Sequence, residues 1–310
     1  MYRTLTSTSH QLFQSLVRPI LTYNSEVWGT SLLPKNTKNE KCLDLAKISD
    51  PVEGVYLKFL KQCIGTNEYT SNWGVLTESG QKPLKIFIFS HIIKYWWHLT
   101  NSESPIIKAA LKTNHNLPKS VKSWASELMR ILKWVESESL FNITNDKEYK
   151  KQINKTTVKL HRKFYDEWNT ERRMILSNQQ SKLQILAEVT GERFHCAPHL
   201  GIKCNYKIKN SISRFRLSTH NLPIETLRHL DIPRHLRLCP LCCVAIGDEQ
   251  HFLLECDNAE ISQSRSEMMK ALKNISDGPW DLISILKRTE SEVIIAVGKH
   301  LKCIEVISKV

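Results

Sequence analysis

Cys239-Pro240-Leu241-Cys242 is followed by His251 and then by Cys256, which makes the pattern C-x2-C-x8-H-x4-C. Two cysteines separated by two residues bring both sulfurs to one ion through a tight turn, here aided by Pro240. Gly247 permits a second turn. Asp248 is placed to cap a short helix running through His251-Phe252-Leu253-Leu254-Glu255 toward Cys256. Three thiolates and one imidazole suit tetrahedral Zn²⁺ and fill its shell, so the expectation is one structural zinc held by Cys239, Cys242, His251 and Cys256, with no open position for a catalytic water. The competing reading is a set of buried thiols and a packed histidine. Cys243 offers an alternative register, but only Cys239 with Cys242 has the two-residue gap.

Around this motif the chain reads as helices joined by Pro- and Asn-containing loops, with few persuasive strands. Asp257-x-x-Glu260 resembles a capping box opening the next helix. The last two helices are expected near 262–275 and 291–308, the latter with Val293, Ile294, Val297, Leu301, Ile304 and Ile307 on one side. Upstream, Leu12, Phe13, Leu16 and Val17 keep helical spacing up to Pro19, which disfavours helix in Arg18. A loop is expected from Pro34 to Lys41, and a helix over Val52, Val55, Tyr56, Phe59, Leu60 and Cys63 ends near Gly65. The stretch from Pro83 to Leu99 is the most apolar and reads as a central helix. Its Trp96 and Trp97 suit core packing better than base stacking. Asn114 to Lys119 reads as a linker, and Ser120 to Val135 as a helix carrying Val121, Trp124, Leu128, Ile131 and Leu132. Gly191 to Gly201 reads as a boundary. The fold class is therefore mostly α: helical bundle segments, a small zinc-stabilised module, then C-terminal helices.

Composition narrows the function. The 310 residues carry 44 Lys+Arg against 31 Asp+Glu, a net charge of +13, which favours a polyanionic partner. The excess sits in two places. Seven basic residues between Lys147 and Lys163 face one acid, Glu148, and eight between Lys203 and Arg237 face Glu225 and Asp231. In the first stretch Tyr149, Ile153, Leu160, Phe164 and Trp168 recur at multiples of a helical turn, so the lysines fall on the other faces. This is either a solvated face or a surface that tracks phosphates. The 10 glycines are few for a Rossmann or barrel enzyme, and no apolar run reaches the ~18 residues of a membrane span. Met1-Tyr2-Arg3-Thr4-Leu5-Thr6 lacks an apolar signal core, and nine cysteines then read as thiols or metal ligands in the nucleus or cytoplasm. A second cluster of His195, Cys196, His199 and Cys204 lacks a paired C-x2-C and reads as incidental. No two aspartates are adjacent, and there is no G-x-x-x-x-G-K-[ST], G-x-S-x-G or H-E-x-x-H, so the chain is expected not to be an enzyme.

Three stretches closely resemble one family. They are Arg214-Phe215-Arg216-Leu217-Ser218-Thr219-His220-Asn221-Leu222-Pro223-Ile224-Glu225, Arg237-Leu238-Cys239-Pro240-Leu241-Cys242, and Asp248-Glu249-Gln250-His251-Phe252-Leu253-Leu254-Glu255-Cys256. The family is the C-terminal region of non-LTR (LINE-type) retrotransposon polyproteins, which carry a reverse transcriptase. Leu16-Val17-Arg18-Pro19-Ile20-Leu21-Thr22-Tyr23-Asn24-Ser25-Glu26-Val27-Trp28-Gly29 looks like the segment just after the polymerase palm, and Phe59-Leu60-Lys61, Thr70-Ser71-Asn72, Gly80-Gln81-Lys82-Pro83-Leu84 and Tyr95-Trp96 fit the connecting region. One departure is Leu76-Thr77-Glu78-Ser79-Gly80, where relatives tend to have a Glu-Leu-Gly run. The resemblance implies that both catalytic centres of the full-length polymerases lie outside this chain, and that its Cys–His end binds nucleic acid.

Five segments are expected: a remnant of the polymerase thumb or connection at 1–33, an apolar helical connector at 34–113, a basic helical region at 114–200, a CCHC zinc module with a basic arm at 201–262, and C-terminal helices at 263–310. The expected partner is RNA or DNA of the parent element, with no membrane, and association with a polymerase domain or another copy as a further option. Candidate phosphate contacts are Arg214, Arg216, Arg228, Arg234 and Arg237 of the arm and Lys151, Lys155 and Lys159 of the basic helix. Phe215 is either a stacking ring or a buried one. The alternative to nucleic-acid binding is a protein-interaction module scaffolded by zinc.

Overall fold

The computed structural model describes residues 10–33, 43, 45, 50–117, 123–143, 145–178, 180–275, 277–278 and 280–308. The start at Met1–Thr6, the loop at Pro34–Lys41 and the helix start at Ser120–Val121 lie outside them. Among the described residues the chain is helical with no strand, and one isolated bridge pairs Leu238 with Ile246. None of these helices is long and apolar enough to cross a membrane. The chain forms two compact units that interleave along the sequence: residues 1–12, 57–81 and 172–310 in one, and 13–56 with 82–171 in the other.

The second unit is built on the Leu84–Thr100 helix, whose Ile88, Phe89, Ile92 and Ile93 are almost fully buried. Trp96 lies flat against Phe141, with ring centroids 4.3 Å apart, and Trp97 stacks on Tyr149 at 4.4 Å. Both tryptophans thus serve packing. The Trp124–Trp134 helix starts later than its periodicity suggests, because Ser123 and Ser126 form a reciprocal capping box. Asn114 is not linker. It lies in the last turn of the Pro105–Asn116 helix and its side-chain oxygen accepts the Ala125 N–H. Nor does Pro19 end the first helix. A π-turn over Phe13–Val17 leads into Arg18–Leu21, with Pro19 in the first turn of that segment.

The Leu84–Thr100 helix begins after Pro83, which offers no side-chain cap, so its first amides need an acceptor from elsewhere. Glu53 supplies it, accepting from Leu84 N at 2.9 Å and Lys85 N at 3.1 Å. Lys85 itself pairs with Asp50 at 3.2 Å. Burial pushes the Glu53 carboxyl up to about 7 despite the two amides, with Asp50 adding to the rise.

In the first unit the Asn72–Ser79 helix carries Glu78 into the interior, and Gly80, at φ +64°, closes that helix where any Cβ would collide with the Cys196 backbone. Arg216, the last residue of the Tyr206–Arg216 helix, meets both Glu78 oxygens at 3.1 and 3.0 Å and donates to Leu286 O at 3.1 Å. His199 Nε2 lies 2.8 Å from Ser213 Oγ and 3.3 Å from Glu78, and burial drives its pKa well down, so the ring is neutral. His199 therefore belongs to this polar core, and the His195–Cys204 region gathers no metal-ligand cluster among the described residues. Ile212, Phe215, Met268, Leu272, Val297 and Leu301 then pack the helices Tyr206–Arg216, Ala259–Lys273 and Ser291–Ile307 into one core. Phe215 is buried there and is no stacking ring.

Two stability tests follow from these buried charges. A carboxyl whose folded pKa lies above its unfolded value favours the folded state below about pH 4.5, and that contribution falls away as pH rises to 7, here by about 3 kcal/mol. Glu53→Gln keeps an acceptor for the helix amides and should flatten this part of the pH profile in urea titrations. Arg216→Met leaves Glu78 unpaired in the core and should cost about 3–5 kcal/mol, while Glu78→Gln with Arg216→Met should recover a large part.

Candidate metal centre

A short hairpin-like turn presents the first two ligands. Cys239 N donates to Ala245 O and Cys243 N to Cys239 O, each at 2.8 Å, and Gly247 N donates to Arg237 O at 2.8 Å. Cys243 occupies the left-handed region at φ +57°, with its sulfur exposed near Pro240 O. The second pair comes from the far side of the turn. Asp248 caps the following turn, its Oδ1 accepting His251 N at 3.0 Å and its carbonyl accepting Phe252 N at 3.1 Å. That turn is a π-helix over His251–Glu255, which hands the chain to Cys256.

Cys239, Cys242, His251 and Cys256 bring their ligand atoms within 4.8 Å of one another and form a cluster that could hold a metal ion. The Cys239 and Cys256 sulfurs are 3.9 Å apart, and Cys242 Sγ lies 3.4 Å from His251 Nε2. Bonds of ~2.3 Å to sulfur and ~2.0–2.1 Å to nitrogen at tetrahedral angles would separate the donors by about 3.5–3.8 Å, so the residues fit such an ion. Cys239, Cys256 and His251 are buried and Cys242 is half-buried. Burial pushes the Cys239 thiol up to about 12, with the Cys242 and Leu241 amides opposing the rise and Cys256 adding to it. Cys242 is pulled the other way, chiefly by the Ala245 and Val244 amides. A cation bound between them would make thiolate the stable form of Cys239. His251 Nδ1 has no hydrogen-bond partner among the described residues, and Glu255 Oε2 stands 3.9 Å away. That leaves Nε2 free to face an ion, with the Glu255 carboxylate beside Nδ1.

Local sequence gives no sign of several residues that hold the ligands. His300, on the Ser291–Ile307 helix, places Nε2 3.2 Å from Leu253 O and Nδ1 3.1 Å from Ser264 Oγ. Burial pulls its pKa down to about 4, so the neutral ring anchors the turn carrying His251. Arg265 donates to Cys256 O at 2.6 Å. The following helix is capped by Asn258, whose oxygen accepts from Glu260 N and Ile261 N, rather than by a box starting at Asp257. Gly247 sits in the expected turn, where Asp248 N donates to Ile246 O at 2.9 Å, and it has a second role: a Cβ there would sit 2.8 Å from the Pro223 ring, which packs against it. Cys239 and Cys256 belong to the same apolar core as the C-terminal helices.

The predicted phosphate contacts divide sharply. Arg216 is a correction: it is 4 % exposed, closed in by Glu78, and out of reach of any phosphate. Arg237 is likewise spent on the fold, donating to Ile232 O at 2.7 Å and Ile224 O at 2.9 Å. Arg214 pairs with Glu305 at 3.1 Å and donates to Gly65 O. Arg228 pairs with Glu225 at 2.7 Å, and Arg234, the most exposed of the five, reaches Asp248 at 3.1 Å. Lys159 turns to the Glu136 carbonyl. Lys151 and Lys155 remain exposed, on the part of the Asp146–Ser177 helix that belongs to the other unit.

No protein-family model, curated protein or solved structure matches the chain.

The donor set predicts which cysteines matter. Cys256→Ser should abolish stoichiometric metal retention, read by elemental mass spectrometry of the purified protein, and lower its stability by several kcal/mol. Cys243→Gly removes a thiol outside the tetrad and relieves a left-handed backbone. It should retain the metal and raise stability by about 1 kcal/mol.

Proposed function

We propose that this chain is a non-catalytic, nucleic-acid-binding protein stabilised by one structural Zn²⁺, related to the C-terminal region of non-LTR retrotransposon reverse transcriptases. Three thiolates and an imidazole are a donor set for zinc, and the four together leave no position for a reacting water. Zinc bound there would supply cross-linking charge and no reaction step. Cys239, Cys242 and Cys256 hold it as thiolates, while His251 is aimed by the turn that Asp248 caps.

The observation that carries nucleic-acid binding is the division of the basic residues. The five arginines of the arm each meet a carboxylate or a backbone carbonyl, whereas Lys147, Lys151, Lys155 and Arg162 stand outward with no salt bridge among the described residues. Such a surface suits polyanions. The family relation rests on Arg214–Glu225, Arg237–Cys242 and Asp248–Cys256. Within these, Arg216, Phe215, Leu217, Leu222 and Ile224 are buried, so the resemblance concerns the residues that make this module fold.

A second reading, a zinc-scaffolded docking module for protein, is favoured by one feature. Leu230, Leu236, Leu238 and Val244 are exposed beside the cluster, Val244 by 84 %. Zinc analysis and nucleic-acid titrations at two salt concentrations separate the two. One zinc per chain with salt-sensitive binding supports the nucleic-acid reading. Zinc with no affinity at low salt overturns it in favour of docking, and protein purified without zinc overturns the metal assignment.

A further inference from the structure

The geometry points to the outward face of the Asp146–Ser177 helix as a site for double-stranded nucleic acid, held through its phosphates with no reading of bases; this rests on the nucleic-acid reading above. At ~100° per residue, Lys147, Lys151, Lys155 and Arg162 fall within a sector of about 80° and span about 22 Å of helix. All four are exposed. Tyr149, Thr156, Leu160, Phe164 and Trp168 lie on the opposite side and are buried. The cations are therefore a stripe directly across from the core.

Neighbouring charges leave the stripe positive. Asp146 is taken by Lys150 at 2.8 Å, and Glu136 by Lys163 at 2.6 Å. Glu148 is the one acid between Lys147 and Lys163. The scaffold is firm: the Tyr149 hydroxyl donates to Ile93 O at 2.6 Å and its ring stacks on Trp97, so the start of the helix is fixed before any ligand arrives.

What the stripe lacks selects the ligand. Single strands are gripped by aromatic platforms on which unpaired bases stack, in addition to cations. Here Tyr149, Phe164 and Trp168 are buried, and Tyr165 is half-buried beneath Lys82, 5.1 Å from its ring. The apolar side chain within the stripe is Val158, 67 % exposed, which cannot stack. A duplex keeps its bases stacked on each other and offers one phosphate per ~1.7 Å of axis, more than enough for a stripe this long in any register. Binding is thus independent of sequence, and duplex RNA and duplex DNA share the chemistry recognised.

The test uses the zinc-loaded full chain and three probes of one sequence: a 20-mer single strand, its DNA duplex and its RNA duplex. Fluorescence anisotropy is recorded from 50 to 200 mM salt. Four contacts predict a slope near −3.6 for the duplexes, about a hundredfold loss of affinity over that range. Both duplexes should bind within about tenfold of each other and more tightly than the single strand. Lys147→Gln, Lys151→Gln, Lys155→Gln and Arg162→Gln together should lose most duplex affinity and flatten the slope, with an unchanged melting curve. Arginine at the three lysine positions should restore both. Tighter binding to the single strand, a duplex preference above a hundredfold for RNA or DNA, or a glutamine variant that binds as well as wild type would each overturn the inference while leaving nucleic-acid binding in place. No binding to any probe at 50 mM salt would instead bring down the function it rests on.

Discussion

A carboxylate buried in the first unit must meet a positive charge, and Glu78 meets Arg216. An unpaired charge in that position costs more than most small domains can spare. The pair is closed by further bonds: the Arg216 guanidinium reaches Leu286 O, Glu78 O accepts from Ala197 N, and His199 joins Glu78 to Ser213. Four segments far apart in sequence are thereby fixed to one point. The Tyr206–Arg216 helix gains its orientation from this, and the chain that follows carries Leu222 and Ile224 into the core from which Cys239 and Cys256 are presented.

The Cys–His cluster depends on that core. Cys239 and Cys256 are fully buried, and their neighbours Phe252 and Leu253 pack with the C-terminal helices. Arg237 ties the hairpin-like turn to Ile224 and Ile232, and His300 holds the turn that carries His251. The ligands are set by side chains up to several dozen residues away, so the module is part of a larger fold. Here basic residues act as internal fasteners, whereas on the Asp146–Ser177 helix the same residue types form a solvent-facing stripe. Net charge alone does not distinguish these uses.

Much was legible locally. Spacing found the four residues that cluster and the cap at Asp248, since both depend on neighbours within a few turns of chain. Helical periodicity found the buried faces of the Leu84–Thr100, Asp146–Ser177 and Ser291–Ile307 helices, because an amphipathic helix writes its core side into its sequence. The misreadings share a cause. Asn258 outcompetes Asp257 as a cap, and Pro19 sits inside a helical run after a π-turn. In each case geometry outside the local pattern made the choice.

The sequence by itself determined that this chain is mostly helical, that three cysteines and a histidine have metal-ligand spacing, and that its positive charge lies in two stretches. Each of these rests on periodicity, spacing or composition, which chain-local physics converts into structure. Only the tertiary structure decided which cations are free. Arg216 and Lys155 are equally basic in the sequence, but one faces Glu78 in the interior and the other faces water. A side chain's availability depends on what the fold brings opposite it, and Glu78, 138 residues before Arg216, leaves no local trace of that meeting.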